Sequence, residues 1–379
     1  MRVLHVTDTF LPKVGGAEIA IDRLVRAMNA AGDHCAVLAQ RPREFGDEIQ
    51  TPYPLSRYND PRSVTWAGWW IERHIARAEQ RDGPFDAIIG HHAFPPGYAC
   101  VRYARRQGIP SIVYPRGGDI YEVSRFRKKP LAWRKLCWAL TRASAVVCAS
   151  AAMEGVVREI LGKRGGAEAD RRLVRIPNGV NAAELQADAS DSRFAADARF
   201  SAPFVLGLGR MIRRKGFHLL IEAAKSFDER WKLVLAGEGR EIESLKTQAA
   251  PLGDRVLFAG LVEGADKRWL LQHCRFMAAP SLEESFGNVA LEAMACGKPL
   301  IASEASGFAE IVRDGENGRL VPVGDASALA AALRDYQAAD LTSAGAAATR
   351  TAEQFSWDTI ASRYASLIRR LREIPSEHP

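Results

Sequence analysis

A chain of 379 residues has the length of about two ordinary domains, and 47% hydrophobic with 26% charged residues is the composition of a globular chain with sizeable cores. That excludes a disordered chain, a collagen-like chain and a small disulfide-stapled module. No window approaches the ~18 uninterrupted apolar residues of a membrane-spanning helix. The net charge of +7 is uneven: residues 1–180 carry 28 Lys and Arg against 18 Asp and Glu, and the remainder 24 against 27. An anionic partner is therefore expected for the first half, either a membrane surface or a polyanionic acceptor.

The opening MRVLHVTDTFLPKVGG reaches a proline and two glycines too early for a secretory apolar core, and a cytoplasmic location is the expectation. Short apolar runs then alternate with stretches of helical period. In the first half the runs are VLHV (3–6), AVLA (36–39), AIIG (87–90), SIVY (111–114), AVVC (145–148) and LVRI (173–176). After the GGAE turn, Ile19, Ile21, Leu24, Val25 and Met28 recur at helical spacing. From residue 204 the rhythm restarts with FVLGLG, LIEAA, KLVLAG, RVLFAG, RFMAAP, KPLIAS and GRLVPV.

Such alternation predicts an α/β fold with parallel sheets and right-handed crossovers. Residues 181–203 hold few large apolar side chains and read as a linker. The expected organisation is thus a lobe over 1–180, a lobe over 204–354, and a terminal helix within 355–379. Two Rossmann-like lobes facing across a cleft would place the ligand where strand ends and helix N-termini converge. The six cysteines (35, 100, 137, 148, 274, 296) stand singly, as buried reduced thiols do.

The most informative segment is SLEESFGNVALEAMACGKPLIASEASGFAEIVRDGENGRLV (281–321). Glu284 and Glu292 bracket Phe286, Gly287 and Asn288, where a helix begins. Gly287 permits close backbone approach to a ligand, and the unpaired amides of the helix start suit a phosphate. Carboxylates on either side accept hydrogen bonds from sugar hydroxyls. This is a pattern for sugar–diphosphate–ribose. GLGRMIRRKGF (207–217) adds Arg210 and Lys215 after a strand, a guanidinium and an ammonium able to neutralise a diphosphate. Arg213 and Arg214 read as a solvated face.

With these motifs the chain resembles the family 4 retaining glycosyltransferases, the glycogen-synthase-like group of GT-B fold. The resemblance runs through GGAE (15–18), RGGDI (116–120), RIPNGV (175–180), GRMIRRKG (209–216), LAGEG (235–239), ESFGNVALEAMACGKPLIA (284–302) and NGRLVPVGD (317–325). It implies that Glu284 contacts the donor sugar and Glu292 the ribose. It implies that Arg210 and Lys215 bind the diphosphate, and that the amides of Phe286, Gly287 and Asn288 close around it. Gly15 and Gly16 match the glycine turn that approaches the diphosphate from the first lobe, and Glu310 matches a structural or nucleotide-adjacent position. The terminal helix is expected to cross back onto the first lobe.

One departure concerns chemistry. Arg116 stands where the family's H-G-x-D element carries histidine, with Asp119 retained, and an arginine does not exchange protons near neutral pH. His91, at a strand end, aligns with a second family histidine. His91, Arg116 and Asp119 are therefore the expected acceptor-side residues, while His92 reads as packed or solvent-facing. Catalysis is assigned to Glu284, Arg210, Lys215 and His91. The implied route is a front-face transfer in which the leaving diphosphate takes the acceptor proton. No D-x-D or clustered His/Asp set calls for a metal, and no cofactor is expected beyond the nucleotide-sugar cosubstrate.

The expected acceptor is a saccharide or lipid-linked hydroxyl; nucleic acid is not an expected partner. SRFRKKPLAWRKLCWALTRAS (124–144) combines basic residues with Trp133, Leu136, Cys137 and Leu140 at i, i+3, i+4, i+7, plus Trp138. It reads either as a peripheral contact to an anionic membrane face or as a helix packed on its sheet. Trp66, Trp69, Trp70 and Ile71 form a second stripe that reads as core. A nucleotide-sugar 2-epimerase of related fold and a non-catalytic nucleotide-sugar-binding subunit are the competing readings.

Overall fold

The structure, a computed structural model, describes residues 1–13, 15–42, 49–60, 63–121, 124, 126–162, 171–305 and 307–374. Two compact units make up the chain: Met1–Gly179 together with Trp357–Pro379, and Val180–Ser356.

The first unit holds β1 (Arg2–Thr7), β2 (His34–Gln40), β3 (Leu55–Tyr58), β4 (Ala87–His91), β5 (Ser111–Tyr114), β6 (Ala145–Cys148) and β7 (Leu173–Arg175), ordered 3-2-1-4-5-6-7. Every pairing is parallel, with Val6 opposite both Leu38 and Gly90. The second unit holds β8 (Phe204–Leu208), β9 (Lys232–Ala236), β10 (Val256–Gly260), β11 (Phe276–Ala279), β12 (Leu300–Ser303) and β13 (Gly318–Val321), ordered 10-9-8-11-12-13 and again all parallel. Both are doubly wound, Rossmann-like sheets. Strands covered by helices on both faces are largely apolar, which is why nearly all the runs read from the sequence became strands. LIEAA lies instead on the helix Phe217–Ala224. Strand β3 (LSRY) gave no apolar run because it sits at the sheet edge, half-buried and paired with β2 alone.

Each unit has its own core. In the first, Ile71, Ile75 and Ala78 of helix Ala67–Asp82 meet Tyr58, Phe85 and Ile88. In the second, Leu220 and Ile221 meet Val205, Leu233, Leu235 and Phe276. The terminal helix Trp357–Glu373 buries Ile360, Tyr364, Leu367 and Ile368 in the first unit and packs on the helix Gly16–Ala30.

Two expectations need correction. Residues 181–203 are not an isolated linker, since they belong to the second unit. Leu185, Phe194 and Phe200 are buried, and both phenyl rings pack on Trp269, with Phe200 also against Phe204. Two well-placed phenylalanines suffice to dock a segment whose average composition is polar. The tryptophan stripe at 66–71 is core only in part, with Ile71 inside it and Trp70 packed against it. Ile71 is buried and the Trp70 indole N–H donates to the Asn59 carbonyl at 3.0 Å. Trp66 and Trp69, however, are 64% and 47% exposed.

Truncating a buried ring of a docked segment should leave a cavity. We expect Phe200→Ala to destabilise the second unit by about 3 kcal/mol; a urea-midpoint change worth under about 0.5 kcal/mol would mean that residues 181–203 are not part of its core.

Candidate functional site

In a doubly wound sheet, ligands bind outside the carboxyl ends of the strands where the order reverses. In the second unit that point lies between β8 and β11. The loop after β8 runs from Gly209 through a short turn, Arg213–Lys215, to Gly216. Gly216 has φ +72°, and a Cβ there would lie 1.8 Å from the Pro280 carbonyl oxygen, so the two loops touch backbone to backbone. The Leu282 amide donates to the Arg214 carbonyl at 2.7 Å, locking them together.

This contact brings the expected residues into register. Lys215 Nζ donates to Glu284 Oε2 at 2.5 Å, and Glu284 Oε1 accepts from the Ser285 amide at 3.1 Å. The helix Asn288–Ala295 starts after Gly287, whose φ of +98° turns the chain beneath Phe308. Glu292 stands one turn into that helix. The Phe286 ring is buried against Phe355, which leaves only its backbone for a ligand. Arg210 is exposed and makes no ion pair among the described residues. Arg213 is exposed and Arg214 half-buried.

Sequence reasoning missed Lys267. From the helix Gly264–His273 its ammonium lies 2.7 Å from Glu292. Nothing in its local text (GADKRW) marks it, because the pairing is made across two helices. Both flanking carboxylates therefore hold a lysine.

The first unit's reversal point lies between β1 and β4. Gly15 is the extended residue before the helix Gly16–Ala30, and Gly16 opens it. His91 is a correction: expected on the acceptor side, it is wholly buried. Arg116 Nη2 donates to His91 Nδ1 at 2.6 Å, which leaves the His91 Nε2 proton to donate to His5 Nδ1 at 3.0 Å. The Arg116 guanidinium also lies 3.8 Å from the Tyr114 ring centroid. Burial first, then the Arg116 charge, holds His91 well below the usual histidine range and His5 at about 3, so both are neutral. Asp119 is buried; its carboxylate accepts from the amides of Arg116 (3.0 Å) and Ala93 (2.6 Å), fixing the loops after β5 and β4.

The less buried histidine at this strand end is instead His92. Its φ of +78° is the one positive value outside glycine among the described residues. Such geometry is uncommon for a residue with a side chain and clusters at functional sites. Nδ1 lies 2.7 Å from Asp8 Oδ1, just after β1, and the two side chains are 16% and 15% exposed. Burial opposes the charge, but the Asp8 carboxylate and then Asp119 outweigh it and raise His92 to about 9. The sequence signal was present as the second histidine of HH, but nothing in the text distinguishes inward from outward at a strand end.

His92, raised on folding, stabilises fully below pH 6.5, and that contribution fades as pH rises through about 9. His5 and His91, lowered on folding, favour the native state above pH 6.5 and oppose it increasingly as pH falls toward 3. In a histidine NMR titration we expect a His92 midpoint near 9, brought to about 6.5 or below by Asp8→Asn. A wild-type midpoint near 6.5 would rule out the Asp8 pairing. Because Lys267 holds Glu292, Lys267→Met should weaken nucleoside-diphosphate binding about tenfold, the worth of one charge-assisted hydrogen bond of about 1.5 kcal/mol, with Lys267→Arg recovering most of it; equal loss in both variants would contradict the role.

Comparison with known proteins bears on the fold and the family. Residues 14–184 match the family model described as Glycosyltransferase Family 4, and residues 202–338 match that of Glycosyl transferases group 1. The chain is 33% identical to a glycogen synthase of Mycobacterium tuberculosis over 97% of its own length and 94% of the relative's. It is 38% identical to a phosphatidyl-myo-inositol mannosyltransferase of Mycobacterium leprae, a match spanning 50% of this chain and about half (51%) of that relative. The crystal structure of Anabaena HepE in complex with UDP superposes with a TM-score of 0.79, at 24% identity over 98% of this chain and 100% of that one. Two parallel doubly wound lobes are the GT-B architecture, and this chain belongs to the family 4 (group 1) glycosyltransferases.

Proposed function

We propose that the protein is a retaining, metal-independent glycosyltransferase that moves a hexose from a nucleotide-sugar donor to a hydroxyl of a glycan, glycolipid or cell-envelope saccharide. The observation that carries this reading is the pair of lysine-held carboxylates, Glu284 with Lys215 and Glu292 with Lys267, either side of the Gly287 helix start. Family membership and the relatives that act on a phosphoinositide or build glycogen support the class.

In this reading the donor diphosphate lies over the amides at the start of helix Asn288–Ala295, neutralised by Arg210 and Lys215. Glu284 accepts from the transferred sugar and Glu292 from the ribose. Transfer breaks the bond between the anomeric carbon and the β-phosphate oxygen and forms one from the same face to the acceptor oxygen. The acceptor proton passes to the departing phosphate. Charge grows on that phosphate as the bond breaks, so a cation held nearby binds the transition state more tightly than the ground state. Lys215 can meet that demand by turning from Glu284, whose own negative charge then faces the positive anomeric centre.

In the first unit, buried neutral His91 is reassigned as a support for Arg116, and His92 with Asp8 offers the polar group at the strand ends. Asp119 acts by holding both loops. Among the described residues no helix is long and apolar enough to cross a membrane. In this reading a lipid-linked acceptor is met at the cytoplasmic surface of a bilayer, with the enzyme peripheral there.

A thermal-shift screen with UDP, GDP, ADP and their hexose conjugates tests the reading; one base series should raise the melting temperature, and stabilisation by none would refute donor binding. With that donor, product NMR should show the donor's anomeric configuration kept, dependence on an acceptor, and turnover undiminished by chelator. Lys215→Ala should lower kcat about 100–1,000-fold while the melting temperature without ligand stays close to wild type. Unchanged turnover would remove Lys215 from the mechanism.

A further inference from the structure

The basic helix Pro130–Arg142 directs its expected apolar stripe inward: Leu136, Cys137 and Leu140 are buried. Its two indoles are half-buried as well. Trp138 packs edge-on against Tyr98 at 5.3 Å between centroids, and the Arg127 guanidinium lies 4.8 Å from the Trp133 ring centroid. The aliphatic part of that stripe therefore faces the core rather than a membrane.

A different apolar pair is available beside it. Lys135 Nζ donates to the carbonyls of Val64 (2.9 Å) and Thr65 (2.7 Å), so the chain entering helix Ala67–Asp82 is tied to the basic helix. The next residue is Trp66. It forms an edge-to-face pair with Trp69 at 6.5 Å, and Arg73 lies 4.8 Å from the Trp69 ring centroid. Both indoles are largely exposed, as is Leu131 at 39% on the basic helix. Lys128, Lys129 and Arg134 are exposed too, and residues 124–144 contain no acidic residue. An indole with one polar N–H and a broad apolar ring favours the interfacial layer of a bilayer, and lysines beside it favour anionic headgroups.

We propose that this face docks the protein on an anionic lipid bilayer, with Trp66 and Trp69 as the apolar anchors and Lys128, Lys129 and Arg134 as the charges. Charge complementarity selects the occupant: a second copy of this chain would set basic against basic, whereas acidic headgroups neutralise the patch. The proposal deepens the functional reading above and rests on it for the lipid-borne acceptor. The physics of docking stands independently of the chemistry in the second unit.

Co-sedimentation of the full chain with phosphatidylcholine vesicles, with and without about 30% phosphatidylglycerol, tests it. Wild type should bind only the anionic vesicles and be released by about 0.5 M salt. Trp66→Ala/Trp69→Ala should weaken binding at least tenfold. Lys128→Glu/Lys129→Glu/Arg134→Glu should weaken it more than a hundredfold, given about fivefold per basic residue at such a surface. Absence of salt-sensitive binding by wild type would overturn the proposal, as would undiminished binding by the double tryptophan variant. Quenching of wild-type tryptophan fluorescence by brominated phosphatidylglycerol supplies a readout that needs no variant to fold; no quenching would equally overturn it. Nucleoside-diphosphate stabilisation measured on the same samples separates the two failures, because loss of vesicle binding with nucleotide binding intact refutes docking alone.

Discussion

The close approach of Gly216 to the Pro280 carbonyl is the constraint on which the second unit's chemistry depends. It joins the loops after β8 and β11 without a side chain between them. That places an ammonium from one strand end on a carboxylate from the other, Lys215 on Glu284. Any Cβ at residue 216 would separate the loops and with them the two charges. The same logic holds at Gly287, where a left-handed turn under Phe308 aims the next helix so that Glu292 projects one turn beyond its start.

The site holds its charges in internal pairs. Glu284 and Glu292 are each about one-eighth to one-fifth exposed, and two unpaired carboxylates so placed beside one helix would repel each other and resist desolvation. Lysines partner both, while Arg210 stays free of an ion pair among the described residues. Binding an anion there is then an exchange of partners rather than the burial of a new charge, and the flexible stem of a lysine suits that exchange better than a guanidinium fork would.

The first unit solves a related problem by the opposite means. Its reversal point carries two adjacent histidines with opposite fates. Burial keeps His91 neutral in a chain from Arg116 to His5, while Asp8 keeps its neighbour His92 charged at the strand end. Arg116 thus sets a permanent charge on Tyr114 and His91 rather than a proton-exchanging group.

Much was fixed by local text. Parallel strands buried on both faces are largely apolar, so β1, β4, β5, β6 and most strands of the second unit were legible, and the glycine-flanked acidic segment marked the site because turns and helix starts depend on a few adjacent residues. What the text left open depended on partners distant in the chain. Lys267 meets Glu292 across two helices, Phe194 and Phe200 find Trp269 some seventy residues on, and the inward or outward sense of His91, His92, Trp66 and Trp133 is set by what already covers each position. Periodicity reports that a face is apolar; only tertiary packing decides whether anything lies against it.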